Sequence, residues 1–280
     1  MRVIILGSGG FISSEVEKIL ELNNTKYLGL KRENIDLLKE TSSLKLKKII
    51  KKNDIILFIA AIAPAKNSHD LIKNLIILKN VCNNIDHKKI RKIIYISSDA
   101  VYSDTKKKIS EKSETIPTSL HGKMHLVREN YLRNIYNKKL CIVRPTLIYG
   151  SNDPHNSYGP NSFIRKYLNN ENISLFGKGE ELRDHVWVKD VANIIVNMIY
   201  NNFFGIINIA TGKIISFYKI AKTINQLKRG NSKKILFTKR NGPMPHNGLR
   251  KFDIKILKNK FKKLVPKKFE KVLTDIYNQY

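Results

Sequence analysis

The sequence is poor in acidic residues, in cysteine and in long apolar runs. Asp and Glu number 23 against 52 Lys and Arg, which leaves a formal net charge of +29 over 280 residues. The two cysteines, Cys82 and Cys141, lie far apart in apolar stretches; this pattern indicates buried thiols in a reducing compartment and argues against a disulfide framework or a metal site. No stretch reaches the roughly 20 apolar residues of a membrane span. We therefore predict a cytoplasmic protein without a membrane span.

The excess positive charge is spread along the whole chain rather than collected in one arm. Nucleic-acid-binding proteins gather their basic residues on one face or along one helix. Ile, Asn and Lys are all abundant here, and their codons are made mostly of A and T, so a compositional bias accounts for the lysines. We therefore expect no nucleic-acid partner.

The N-terminal segment is a short apolar run, a glycine turn and an amphipathic helical pattern. Its sequence is Val3-Ile4-Ile5-Leu6-Gly7-Ser8-Gly9-Gly10-Phe11-Ile12-Ser13. Glycines in a strand–turn–helix context let the backbone approach a pyrophosphate, and the helix N-terminus offers free N–H groups to that anion. The sequence therefore predicts dinucleotide contacts from Gly7, Gly9, Gly10, Phe11 and Ile12.

Further apolar runs alternate with helical patterns along the chain. The runs cover residues 27–30, 54–61, 92–98, 140–145 and 206–210, and a helix is expected from Ser42 or Ser43 to about Lys52. Strands that alternate with helices predict an α/β fold with a doubly wound parallel sheet, the Rossmann fold. Residues 151–161 are rich in Asn, Asp, Pro and Gly, which is typical of a loop.

Three motifs together resemble the extended short-chain dehydrogenase/reductases, the NAD-dependent epimerase/dehydratase family. They are Gly7-x-x-Gly10-x-x-Ser13, Ser97-Ser98-x-x-Val101-Tyr102 and Gly177-x-Gly179-x-x-x-Arg183-Asp184-His185-x-x-Val188-x-Asp190-Val191-Ala192. The family has a third glycine at position 13 and an aromatic Phe at position 185. The resemblance implies a cofactor-binding domain at 1–150, completed by about 184–212, a smaller substrate-binding subdomain at 151–280, and a homodimer.

The resemblance also assigns cofactor contacts beyond the glycine turn. An acidic residue at the end of the second strand binds the ribose of NAD, whereas a basic residue accommodates the 2′-phosphate of NADP. Lys31 and Arg32 stand there, so we expect NADP in preference to NAD. Ala60 and Ala61 end the third strand where backbone passes close to the cofactor, and Ser97 and His125 complete the predicted contacts.

The catalytic pair of the family is replaced in this chain. The family places Tyr-x-x-x-Lys on one helix, where the tyrosinate moves a proton while hydride passes to the nicotinamide. The matching segment is Pro117-Thr118-Ser119-Leu120-His121-Gly122-Lys123-Met124-His125, so His121 stands for the Tyr and His125 for the Lys. Ser98 aligns with the catalytic Ser/Thr.

Three interpretations of the histidine pair remain open. His121 acts as a general acid/base with His125 holding the ribose, or the site binds its ligands without turnover, or the two histidines bind a metal. The metal interpretation has no evident third ligand, so we predict no metal. Catalysis by His121 has one difficulty. The imidazole ends about 2 Å short of the position that the phenol oxygen of a tyrosine would occupy, and misplacement of a catalytic group by about 1 Å lowers the reaction rate strongly.

The resemblance implies a nucleotide-sugar substrate bound by Ser98, Asp99, Asn161, Arg183 and Arg250. The two arginines suit a diphosphate because a guanidinium pairs with two phosphate oxygens. Family dehydratases carry Asp-Glu where this chain has Asp99-Ala100, which argues against dehydration. The prediction is therefore an NAD(P)-dependent 4-epimerase or 4-keto reductase of surface-polysaccharide synthesis; the alternative is a catalytically silent binding protein.

Overall fold

A computed structural model describes residues 1–156, 158–227 and 234–279. The chain divides into two compact units. The first unit comprises Met1–Ser103, Ser113–Pro145 and Val191–Asn208. The second unit comprises Asp104–Lys112, Thr146–Asp190 and Ile209–Tyr280. Among the described residues, no helix combines the length and the apolar character needed to cross a bilayer.

The described residues form strands and helices along the whole chain. The strands are β1 (Val3–Leu6), β2 (Tyr27–Leu30), β3 (Ile55–Phe58), β4 (Lys92–Ile96), β5 (Leu140–Pro145), β6 (Leu147–Tyr149), β7 (Ile173–Phe176), β8 (Leu182–Arg183), β9 (His185–Trp187), β10 (Gly205–Ile209), β11 (Ile215–Ser216), β12 (Ile235–Thr238) and β13 (Leu249–Arg250). The helices are α1 (Phe11–Leu22), α2 (Glu40–Ser43), α3 (Lys45–Ile49), α4 (Ser68–Asn84), α5 (Leu120–Tyr136), α6 (Pro160–Leu168), α7 (Val188–Tyr200), α8 (Phe217–Asn225), α9 (Lys255–Lys260) and α10 (Phe269–Tyr277).

The first unit is built on a six-stranded sheet with the order β10-β5-β4-β3-β1-β2. Its inner strand pairs are parallel, with Val3 opposite both Tyr27 and Ile55. The strand order reverses between β1 and β3, and ligands of open α/β sheets bind outside the carboxyl ends of the strands at such a point. The predicted doubly wound parallel sheet is confirmed.

The central strands are apolar on both faces because helices cover both sides of a parallel sheet. All four residues of β1 and all four of β3 are buried, and most are β-branched or aromatic. These strands therefore appear in the sequence as continuous apolar runs rather than as an alternating pattern.

The helix expected from Ser42 to Lys52 is wrong in extent, because two short helices, α2 and α3, stand there instead. Neither serine caps a helix through its side chain. The Ser42 hydroxyl accepts a hydrogen bond from the backbone N–H of Asp36, and the Ser43 hydroxyl donates to the carbonyl of Glu40. Both hydroxyls thus form hydrogen bonds with nearby backbone groups and are not the helix caps that the sequence predicted.

The second unit contains three small sheets. They have the orders β11-β8-β13, β12-β7 and β6-β9. β13 runs parallel to β8 with Arg250 directly opposite Arg183. Two positively charged residues that are 67 positions apart in sequence are therefore neighbours in this unit.

Candidate functional site

The glycine turn after β1 has the close backbone approach that its sequence predicts. Gly7 has φ +94°, and a Cβ at this position would lie 2.8 Å from the backbone nitrogen of Ala60. Gly9 has φ +76°, with the Lys31 side chain 3.3 Å from where its Cβ would stand. Both positions need glycine for conformation, and Gly7 also needs it for space.

Ser13 ties this turn together from the position of the third glycine. Its side chain is buried, and its hydroxyl oxygen accepts a hydrogen bond from the Gly10 N–H at 2.8 Å. The same hydroxyl lies 3.0 Å from the carbonyl oxygen of Gly7, to which it can donate. Gly10 is the N-cap of α1, so the N–H groups of the following residues, Phe11 and Ile12, stand in the first turn of the helix.

An open cleft of about 260 Å³ follows the glycine turn along the edge of the first unit. Gly7, Ser8, Arg32, Asp36, Ala60 and Ala61 are among the residues that line it. Arg32 forms an ion pair with Asp36 at 3.7 Å, and Lys31 one with Glu33 at 4.0 Å. The Lys31 and Arg32 side chains are both largely exposed, so each can turn from its carboxylate to another anion.

Arg128 of α5 is fully buried beside the ends of β3 and β4. One guanidinium nitrogen donates to the carbonyl of Ala60 at 2.8 Å, and the other to Oδ1 of Asn74 at 3.2 Å. Its Cζ lies 4.6 Å from the ring centre of Phe58 and 5.1 Å from that of Tyr95. Sequence reasoning did not identify Arg128, whose contacts come from three other elements.

Asn74 holds the segment that follows β3. Its Oδ1 accepts from the N–H of Ile62 at 3.0 Å, and its Nδ2 donates to the carbonyl of the same residue at 2.9 Å. Together with the bond from Arg128 to Ala60, this pair of bonds fixes the backbone that leads to Ala65.

The two serines at the end of β4 have different surroundings. The Ser97 hydroxyl donates to Oε1 of the buried Glu129 at 2.6 Å, and that carboxylate also binds Arg144. Its side chain therefore supports the core, and a cofactor contact from Ser97 would have to come from its backbone. The Ser98 hydroxyl is partly exposed and accepts from the N–H of Ala100 at 3.1 Å. Asp99 is buried in the short 3-10 turn that follows.

The structure brings His121 and His125 into edge-to-face contact, with ring centres 4.6 Å apart at 90°. His121 is partly buried, and its Nδ1 accepts a hydrogen bond from the backbone N–H of Ala65 at 3.4 Å. His125 is buried, and its Nδ1 lies 2.7 Å from the hydroxyl of Tyr95. The ring of His125 is therefore directed at β4, so the predicted contact between His125 and a cofactor ribose would need the ring to leave Tyr95.

Both imidazoles are held neutral by their surroundings. Burial lowers the pKa of His121 below its ordinary value, and the charge of Asp99 opposes this shift. Burial lowers the pKa of His125 much further, and His121 and Arg128 add to that shift. Desolvation disfavours the charged form of a buried histidine, so neither ring carries a proton on both nitrogens at neutral pH.

Gly122 sets how closely α5 approaches the Ser98 turn. A Cβ on Gly122 would stand 2.0 Å from the carbonyl oxygen of Ala100, a separation that no side chain can adopt. The helix that carries both histidines therefore lies directly against the turn that carries Ser98 and Asp99.

The second unit brings the two predicted arginines together and adds a third. Arg183 and Arg250 are buried and face each other across β8 and β13. Glu181 is also buried and pairs with Arg183 at 3.0 Å and with Arg240 at 3.7 Å. Among the described residues, Nε of Arg183 and Nε of Arg240 are buried without a hydrogen-bond partner. The sequence did not predict Arg240, because this residue lies in a Lys-rich stretch where no motif distinguishes it from its basic neighbours.

Asn161 has a different position from the one expected. It lies in the first turn of α6 rather than in a loop, with its Oδ1 accepting from the N–H of Gly150 at 3.0 Å and its Nδ2 donating to Asp153 at 2.7 Å. Both ends of its amide thus bind within the chain, to Gly150 and Asp153, which indicates a structural contribution rather than a free ligand contact.

His185, at the aromatic position of the last motif, is buried without a hydrogen-bond partner on either ring nitrogen among the described residues. Its ring meets Phe217 edge-on, with centres 5.4 Å apart. Burial lowers the pKa of His185 to about 3, and the charge of Arg183 contributes. Within the described parts of the chain, no group of three or more His, Cys, Asp or Glu side chains is arranged to hold a metal ion.

Comparison with known proteins gives a family match over most of the chain. The model of the NAD dependent epimerase/dehydratase family matches residues 3–210. A Methanocaldococcus jannaschii protein named as a UDP-glucose 4-epimerase is 29% identical over 237 residues, which cover 75% of this chain and 77% of that protein. The dTDP-D-glucose 4,6-dehydratase of Dictyostelium discoideum is 27% identical over 271 residues, which cover 80% of this chain and 61% of that protein.

Solved structures show the same fold at low sequence identity. The UDP-glucose 4-epimerase of Thermotoga maritima with UDP-glucose has a TM-score of 0.85 at 20% identity, covering 99% of this chain and 98% of the other. The dTDP-4-dehydrorhamnose reductase of Bacillus anthracis with NADP has a TM-score of 0.82 at 21% identity, covering 100% of this chain and 99% of the other.

Proposed function

Because the chain belongs to the NAD-dependent epimerase/dehydratase family, we propose that it is a nicotinamide-dependent enzyme that epimerises or reduces a nucleotide-linked sugar. The observation that carries this proposal is the close approach of Gly122 to Ala100, which sets the helix that bears His121 against the Ser98 turn. It supports a site at the carboxyl end of β4 in which a hydroxyl and an imidazole act together.

The residues of the first unit fit a dinucleotide. Gly7 and Gly9 both have positive φ, and the backbone of Ala60 fills the space that a Cβ at Gly7 would need. The first turn of α1 offers the N–H groups of Phe11 and Ile12 to a pyrophosphate. Ala60 and Ala61 line the same cleft. When bound, the nicotinamide supplies or accepts the hydride. Lys31 and Arg32 support NADP over NAD, because both side chains are exposed cations beside the cleft.

The arginines of the second unit support a diphosphate-linked substrate. Arg183, Arg240 and Arg250 bring three positive charges together with the carboxylates of Glu181 and Asp104. Within the described chain, the Nε groups of Arg183 and Arg240 lack a hydrogen-bond partner and are donors that a phosphate can satisfy. We assign the diphosphate of a nucleotide sugar to these arginines.

The proposal is tested by turnover of defined substrates. The protein is incubated with NADP(H) or NAD(H) and a panel of UDP-, GDP- and dTDP-sugars that includes keto forms, and products are separated by isomer-resolving chromatography with mass spectrometry. We expect an isomer or a product that differs by two hydrogens. His121→Ala should lower the rate by about 100-fold or more, since a group that transfers a proton or donates a hydrogen bond to the reacting oxygen contributes on this scale.

The matched control is His69→Ala, which removes an exposed histidine from α4. It should leave turnover unchanged. Equal rates for wild type and His121→Ala would contradict the role of His121. Tight cofactor binding without any product would favour the second candidate, a binding protein of the same fold. The hydrogen bond between His125 and Tyr95 supports this candidate, because it directs the ring at β4.

A further inference from the structure

The tautomer of His121 follows from a hydrogen bond with the backbone. The N–H of Ala65 donates to Nδ1, so in the neutral ring Nδ1 carries no proton and Nε2 does. Nε2–H is then a donor rather than a base. A neutral imidazole held in this way polarises a carbonyl oxygen, as in enzymes whose histidine stays uncharged during catalysis.

The position of Ala65 is itself fixed by buried contacts. Arg128 binds the carbonyl of Ala60, and Asn74 binds both the N–H and the carbonyl of Ile62. Arg128 also donates to Asn74. The segment that presents the Ala65 N–H is therefore anchored at two points through one guanidinium.

Arg128 also contributes a fixed charge beside the histidine pair. The groups that face the two rings are Tyr95 from β4, Asp99 from the following turn and Arg128 from α5 itself. A guanidinium stays protonated, and a nearby positive charge disfavours protonation of an imidazole. This charge acts on His125, together with burial. For His121, burial lowers the pKa and the charge of Asp99 opposes that shift.

We propose that His121 is a neutral hydrogen-bond donor, held in its Nε2–H form by the Ala65 N–H, whose segment Arg128 and Asn74 anchor, and that its ligand is the keto oxygen of a nucleotide-linked sugar. This inference rests on the proposed function and selects reduction within it. The carbonyl carbon receives a hydride from the reduced nicotinamide, which becomes oxidised. The carbonyl π electrons move onto oxygen beside Nε2–H, and a proton from solvent completes the hydroxyl. Arg128 is a positioning residue in this scheme.

The tautomer is measured directly by long-range 1H–15N correlation on histidine-labelled protein, with His121 assigned by its loss in His121→Gln. We expect Nε2 protonated and Nδ1 unprotonated at pH 7. Arg128→Gln should raise the pH midpoint of His125 by about one unit, because a nearby positive charge is removed. It should also mix the two neutral tautomers of His121, because the segment that carries the Ala65 N–H loses its bond at Ala60. Arg128→Lys keeps the charge and should leave the His125 midpoint in place, even if it lowers the melting temperature.

The matched control is Arg133→Gln, which removes the same charge from the exposed side of α5. An imidazolium or an Nδ1–H tautomer at pH 7 overturns the proposal, and so does a shift in Arg133→Gln as large as that in Arg128→Gln. Turnover of keto sugars with NADPH supports the ligand, whereas turnover confined to hydroxyl sugars with NADP overturns it. No turnover at all is failure of the proposed function, and the NMR result then decides the tautomer alone.

Discussion

Ser13 shows that a residue can depart from a motif and still perform the task of its position. A glycine would let α1 approach the turn closely, whereas Ser13 adds a side chain at this packed position. The structure instead gives its hydroxyl two backbone partners, Gly10 and Gly7. A hydrogen bond from a buried side chain thus stabilises the turn that glycine would only have allowed.

His185 is a departure of the opposite kind, because its ring nitrogens lack hydrogen bonds within the described structure. Burying such polar atoms costs about 1–3 kcal/mol. We therefore expect His185→Phe, which restores the aromatic residue of the motif, to raise the free energy of unfolding by about that amount at pH 7.5. The measurement is urea denaturation followed by circular dichroism.

The advantage of His185→Phe should grow as the pH falls. The folded-state pKa of His185 is lowered to about 3 from 6.5, so between these values the unfolded chain binds a proton that the folded chain does not. Wild type therefore loses stability below about pH 6.5. At pH 5 the difference in free energy of unfolding between His185→Phe and wild type should be about 2 kcal/mol larger than at pH 7.5. His69→Phe, an exchange at an exposed site, is the control. A pH-independent difference would contradict the buried, neutral state of His185.

At the scale of elements, α4 and α5 pack against each other and also carry exposed apolar residues. Ile72 and Ile76 on α4 are 55% and 36% exposed, and Val127 and Tyr131 on α5 are 46% and 42% exposed. Each pair is spaced i,i+4, so each lies on one helix face. We propose that these faces pair with a second copy, in the homodimer that the family resemblance implies.

Sedimentation velocity tests the dimer. Wild type should sediment as a dimer, and Ile76→Asp with Tyr131→Asp should sediment as a monomer, because buried carboxylates at an apolar contact are strongly unfavourable. Leu22→Asp is the control, since Leu22 is 81% exposed at the end of α1. A monomeric wild type, or dissociation by Leu22→Asp, would rule out this surface.

The strands and the glycine turn were predictable because their signals are local. β-Branched runs, glycines at fixed spacing and helical periodicity all lie within a few residues of one another. The contributions of Arg128 and Arg240, and the hydrogen bond from Ser97 to Glu129, were not predictable in this way. Their partners come from elements far away in sequence, such as Ala60 for Arg128, and only the folded chain brings them together.

At the scale of the whole molecule, the net charge of +29 sets its behaviour toward polyanions. Without a clustered patch, binding to DNA should be non-specific and should depend steeply on salt, because it comes from counterion release. We expect retention on duplex DNA at 20 mM salt and its loss at 150 mM. Heparin should displace the protein from the duplex as effectively as competitor DNA of any sequence does. Sequence-dependent retention at 150 mM would require a nucleic-acid function.

The contact between Gly122 and Ala100 has a consequence for how such a site changes over evolutionary time. The approach of α5 to the Ser98 turn depends on a missing side chain at 122 and not on the residue at 121. Proton-transfer groups can therefore be exchanged on this helix while its placement is preserved. In a selection for folded protein, position 122 should accept almost no substitution, whereas position 121 should accept many. The residue that positions the helix and the residue that performs the chemistry can therefore change independently during evolution.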